Sequence, residues 1–128
     1  MTIITFILKV SPSLQKLTYG NLANAYFVLK DDSRSIEAAD KAMTFIGENA
    51  SKSDAKYFYR RAVAKARQQT SVSGMKDYGS ALQDIKKAHA LNSGDSLILN
   101  ALTDIKAKHK ISRKSHARII SRSMDNST

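Results

Sequence analysis

The chain contains no cysteine and no tryptophan, and it has one proline and five glycines. Without cysteine there are no disulfides, no thiolate metal ligands and no cysteine nucleophile. A single proline, Pro12, and so few glycines do not supply the tight turns of a β-rich fold. The residues that remain favour helix. Acid is scarce: 11 Asp and Glu stand against 21 Lys and Arg, a net charge of +10. No apolar run approaches the ~20 residues of a membrane span. The longest, Met1–Val10 (MTIITFILKV), lacks the basic start and small-residue cleavage site of a secretion signal, so it reads as a segment packed on the core. Two glycosylation sequons, at Asn49 and Asn126, then read as chance. There is no Gly-rich phosphate loop, no Gly-x-Ser-x-Gly and no His-Glu-x-x-His, which argues against an enzyme. His89, His109 and His116 have no nearby carboxylate at ligand spacing. No metal and no cofactor are expected, and a cytoplasmic protein, with access to the nucleus, is the compartment these absences suit.

What is present is helical periodicity in 128 residues, the length of one domain. Leu14, Leu17, Leu22, Ala25, Tyr26 and Leu29 recur at helical spacing after Pro12, predicting a first helix over Ser13–Leu29. Lys30-Asp31-Asp32-Ser33 breaks it. A second helix is predicted from about Arg34 to Phe45, with Ile36, Ala39, Ala42, Met43 and Ile46 as its stripe. After a loop over 47–53, Ser53 or Asp54 caps a third helix that carries Tyr57, Phe58, Ala62 and Ala66 to about Gln69. TSVSG (70–74) is a small-polar loop. The fourth helix covers Tyr78–Leu91, with Ala81, Leu82, Ile85 and Ala88 inward. Asn92–Asp95 is a turn, and Asp95 or Ser96 caps a fifth helix with Ile98, Ala101, Leu102 and Ile105 on one face, running to about Arg122. Residues 125–128 read as a frayed tail.

The pattern is helix pair, helix pair, final helix. Ser-Ile-Glu-Ala-Ala-Asp-Lys-Ala (35–42) and Ala-Leu-Gln-Asp-Ile-Lys-Lys-Ala (81–88) share a skeleton, small–Ile/Leu–x–x–apolar–x–Lys–Ala, at a 46-residue offset. With Asn21-Leu22-Ala23-Asn24-Ala25-Tyr26 and Asp77-Tyr78-Gly79-Ser80-Ala81-Leu82, these residues resemble tetratricopeptide repeats, in which a small residue such as Ala23 lets the partner helix approach. Ala55-Lys56-Tyr57-Phe58-Tyr59-Arg60-Arg61-Ala62 is similar to the last repeat of the large immunophilins, the repeat-bearing cyclophilins and their FK-binding relatives. The resemblance covers residues 14 to about 110. It implies an all-α fold of antiparallel helix pairs in a right-handed superhelix. The units would be one repeat over 13–53, a second over 54–95 with an inserted loop, and a capping helix over 96–124.

It also implies a partner. Such domains hold the acidic C-terminal peptide (Glu-Glu-Val-Asp) of the ninety-kilodalton heat-shock chaperone in a carboxylate clamp. The matching positions are Asn21, Lys56 and Arg60, with Asn24 and Tyr57 as candidate groove residues. Lys56 and Arg60, at i and i+4, share one helix face, and Lys, Arg and Asn all donate to carboxylates. The family's first repeat, its two further clamp residues and its isomerase domain are not in this sequence, so the chain reads as a truncated relative. Lys65 stands where a repeat usually has a large apolar residue. A different use is suggested by the basic stretch Lys106, Lys108, Lys110, Arg113, Lys114, Arg118 and Arg122, which has no acid between residues 105 and 124. A basic amphipathic helix binds calmodulin, anionic membrane or nucleic acid. Nucleic acid is the least favoured, since the stretch has no aromatic residue to stack on bases.

Overall fold

The computed structural model describes the backbone of residues 11–126 and the side chains of residues 11–124. The expectation for Met1–Val10 lies outside these residues. Three of the helices begin where a short polar side chain accepts the first free amides. Ser11 does so for α1 (Pro12–Val28), its Oγ accepting from the Leu14 N–H at 3.3 Å, with proline inside the first turn. Asp31 does so for α2 (Asp32–Met43), accepting from the Arg34 N–H at 3.3 Å. The α1–α2 turn closes on Lys30, at φ +60°, with the Lys30 and Asp31 amides bonded back to Phe27 and Tyr26 carbonyls. This left-handed position usually carries glycine.

A short 3-10 turn (Lys52–Asp54) leads into α3 (Ala55–Ser71). Ser53 or Asp54 was expected to cap α3; Asp54 takes the cap position, but its side chain makes no cap bond. Its Oδ2 accepts the Ser51 N–H and its Oδ1 the Lys16 ammonium, both at 2.9 Å, so its oxygens are already occupied. α4 spans Gly79–Leu91 and α5 spans Ser96–Asn126. Asp95 caps α5 as its sequence predicts, accepting from Leu97 and Ile98 amides at 2.9 and 3.2 Å. The helix bounds of α5 include Asp125 and Asn126.

Consecutive helices pack on one another in pairs, and no strand occurs among the described residues. The odd helices also touch: α1 meets α3, and α3 meets α5, whereas α2 and α4 do not meet. The odd helices therefore form one layer and the even helices a second, splayed layer. α1 and α3 run parallel, since Lys16 pairs with Asp54, Gly20 abuts Tyr57, and Phe27 lies under Arg67. The structure is an all-α array of helix pairs.

The core is built from small residues. Ala55, Ala62, Ala66, Ala81 and Ala88 surround Ile85, Ile98, Leu102, Ile105 and Tyr78, and Ala23, Ala38 and Ala39 form a smaller cluster between α1 and α2. Alanine seams let helix axes approach to the short end of ~8–10 Å. Ser35 and Ala81, equivalent in the repeat alignment, are both buried, and the Ser35 hydroxyl donates to the Ala23 carbonyl at 2.9 Å.

The first helix corrects its expected face. Leu14, Leu17, Leu22, Val28 and Leu29 are 38–74% exposed, whereas Gln15, Gly20 and Ala23 are buried. The cause is at Gly20. The Tyr57 ring lies against it with no room for a Cβ, so α1 turns its small residues inward and its leucines outward.

Candidate functional site

The cations of α3 fall into two groups. Arg61 is held by Asp84 through Nε and Nη2 (2.8 and 2.7 Å) and by Asp40 through Nη1 (2.8 Å). Burial lowers its basicity, but Asp84 and Asp40 more than offset this, and its pKa is raised. Lys65 pairs with Asp84 at 2.9 Å and donates to Ser80 at 2.7 Å. Arg67 pairs with Asp32 at 2.9 Å and stacks on the Phe27 ring at 4.3 Å. A cation at position 65, in place of an apolar residue, is thus accommodated by a buried acid on α4. Sequence reasoning missed this Asp40–Arg61–Asp84–Lys65 network; the one signal was a lysine at an apolar register.

Lys56 and Arg60 differ. Neither has an acidic partner among the described residues. Lys56 is exposed, its ammonium 5.2 Å from the Tyr57 ring centroid. Arg60 is half-buried, and burial pushes its guanidinium below its ordinary value, with Tyr57 and Tyr59 partly opposing. It nevertheless stays charged at neutral pH. Both line one cleft of about 340 Å³ between α3 and the start of α5, with Lys52, Tyr59, Asp95 and Leu97. Asp95 has its Oδ1 engaged in the α5 cap. A second hollow shares Tyr59 and Leu97 and continues along the same furrow past Val63 and Asn100 to Asp104 and Lys108.

The structure thus brings Lys56 and Arg60 together, as their spacing predicts. Asn21 is exposed on α1 and does not line this cleft; Asn24 is half-buried on the same helix. Tyr57, a candidate groove residue, is only 4% exposed and packs on Gly20. It belongs to the α1–α3 interface, and Tyr59, not singled out beforehand as a site residue, takes the place beside Arg60.

The basic stretch forms the outer part of α5. Lys106, Lys110, Arg113, Lys114, Arg118 and Arg122 are exposed. Lys108 stands apart, half-buried and paired with Asp104 at 3.0 Å. A hollow of about 410 Å³ lies between α5 and the 74–78 link, lined by Ile111, Ser112, His116 and Ile119. There the Ser112 hydroxyl donates to the Lys76 carbonyl and sits 3.4 Å from His116 Nε2. The bond to the Lys76 carbonyl latches the link to α5. Among the described residues no three His, Asp or Glu gather at metal-binding geometry, and no helix is long and apolar enough to cross a membrane.

No family model matches this chain, and no curated protein or solved structure matches it.

Proposed function

We propose that the chain is a non-catalytic protein-interaction module that takes an acidic peptide C-terminus at Lys56 and Arg60. One observation carries this reading: of the five cations on α3, three form ion pairs with carboxylates of the chain, and the two at i and i+4 over one cleft form none among the described residues, the Asp95 carboxylate there being engaged in the α5 cap. A half-buried guanidinium without a counter-ion is a place where an external carboxylate gains charge-assisted hydrogen bonds. The furrow beyond it supports a peptide rather than a small anion. From Lys56 to Arg67 is about 16 Å of helix, the span of roughly five extended residues, and Tyr59, Val63 and Leu97 offer an apolar contact for a side chain next to the terminus. The resemblance to immunophilin repeats supports the Glu-Glu-Val-Asp end of the ninety-kilodalton heat-shock chaperone as the peptide, which makes the chain co-chaperone-like.

The test is calorimetric titration with a peptide ending Glu-Glu-Val-Asp and with the same peptide amidated. Micromolar binding that amidation removes, weakens with salt, and disappears in Arg60→Ala supports the reading. A folded chain that binds neither peptide refutes it. A second reading rests on the six exposed cations of α5, which form no ion pair among the described side chains: an anionic partner such as calmodulin or an acidic membrane surface. It predicts binding that survives Arg60→Ala and is lost when Arg113, Lys114 and Arg118 become Glu.

A further inference from the structure

α1 is apolar on both sides. Its inner side meets α2 and α3, and nothing among the described residues packs on its outer side. A helix apolar all round belongs inside a structure. The outer side carries no charge: Lys16 is the only charged residue of α1, and its ammonium is turned to Asp54 at 2.9 Å. In a chain of net charge +10, this neutral strip is where two copies meet with least repulsion.

The strip is also symmetric. Leu14, Leu17, Asn21, Ala25 and Val28 stand at intervals of three, four, four and three, mirrored about Asn21. We infer that two copies of the chain pair antiparallel through the outer face of α1, with the two-fold axis at Asn21. In that register Leu14 meets Val28 of the second copy, Leu17 meets Ala25, and Asn21 meets Asn21. Large residues fall opposite smaller ones, as interdigitation needs. An amide both donates and accepts, so the paired asparagines satisfy each other on the axis, and a single buried asparagine in an apolar seam fixes register. A two-fold interface requires just such a self-complementary patch. Leu14, Leu17 and Val28 on this strip are 38%, 46% and 69% exposed.

This inference does not depend on the peptide reading, and the two fail separately: one concerns the free chain alone, the other its titration with peptide. The test is sedimentation of the full chain over a range of concentrations, with crosslinking. The expected result is a reversible monomer–dimer equilibrium on the order of micromolar, weakened at least tenfold by Leu17→Glu with the helical circular dichroism unchanged. Because the chain has no cysteine, Asn21→Cys places one thiol on the axis, within the ~4–7 Å Cα separation that a disulfide needs, and oxidation yields a covalent dimer. Leu14→Cys puts its two thiols about 21 Å apart along the helix and yields none. A chain that stays monomeric at every concentration, because something else covers this face, overturns the inference. So does a dimer that Leu14→Cys crosslinks as readily as Asn21→Cys, which is the parallel arrangement.

Discussion

Replacing Asp84 with alanine removes the anion that joins α3 to α4. Its carboxylate is buried and accepts a two-pronged contact from Arg61 at 2.8 and 2.7 Å and a third from Lys65 at 2.9 Å. Removing one partner of a buried pair costs about 3–5 kcal/mol, because the cations are left uncompensated. Here Arg61 keeps Asp40 and Lys65 keeps Ser80, and both cations are partly exposed, so solvent screens some of the loss. The expected destabilisation is about 3 kcal/mol, the low end of that range, or roughly a hundredfold in the unfolding equilibrium. Set against the ~5–15 kcal/mol of a typical domain, it is large. Urea unfolding followed by circular dichroism reads it directly, with Asp104→Ala as the control. That change breaks a surface i,i+4 pair with Lys108 and should cost about 0.5 kcal/mol. Converting Arg61, Lys65 and Asp84 together to Met, Met and Leu should bring stability back to within about 1 kcal/mol of the parent, as apolar replacement of buried ion pairs does elsewhere. A loss in Asp84→Ala no greater than in the control would refute the claim that this network holds the helix pairs together.

Two further outcomes follow from packing and charge. Gly20→Ala places a Cβ against the Tyr57 ring and should destabilise by about 1–3 kcal/mol, despite the ~1 kcal/mol helix-propensity gain; a net stabilisation in urea would mean that the ring yields freely. Burial raises the pKa of Asp54, but the Ser51 N–H and the Lys16 ammonium more than offset this and hold it below the usual carboxylate value. The contribution of Asp54 to stability is therefore complete above about pH 4 and is lost as pH falls through its folded-state value. Stability measured against pH should show a flatter acid limb in Asp54→Asn, which should itself cost about 1–2 kcal/mol at neutral pH; an unchanged acid limb would refute this role for Asp54.

Most helix positions were legible in the sequence because they depend on local chemistry. Pro12 and the acceptor Asp95 sit at the starts of α1 and α5, and the inward stripes of α4 and α5 follow a 3.6-residue period that needs no partner to be read. The i,i+4 spacing of Lys56 and Arg60 likewise guaranteed a shared face. Periodicity alone could not choose between the two apolar faces of α1. The leucines promised more buried area, but the contact between Gly20 and Tyr57, 37 positions apart, selected the face of small residues. Nor could spacing distinguish Arg60 from Arg61, adjacent residues of one type. Tertiary structure turned Arg61 onto Asp40 and Asp84 from two other helices and left Arg60 without an ion pair among the described residues. Helix formation is fixed by residues within a turn or two of each other. Which face is buried, and which charge is left open to a partner, is fixed by residues that only the packed chain brings together.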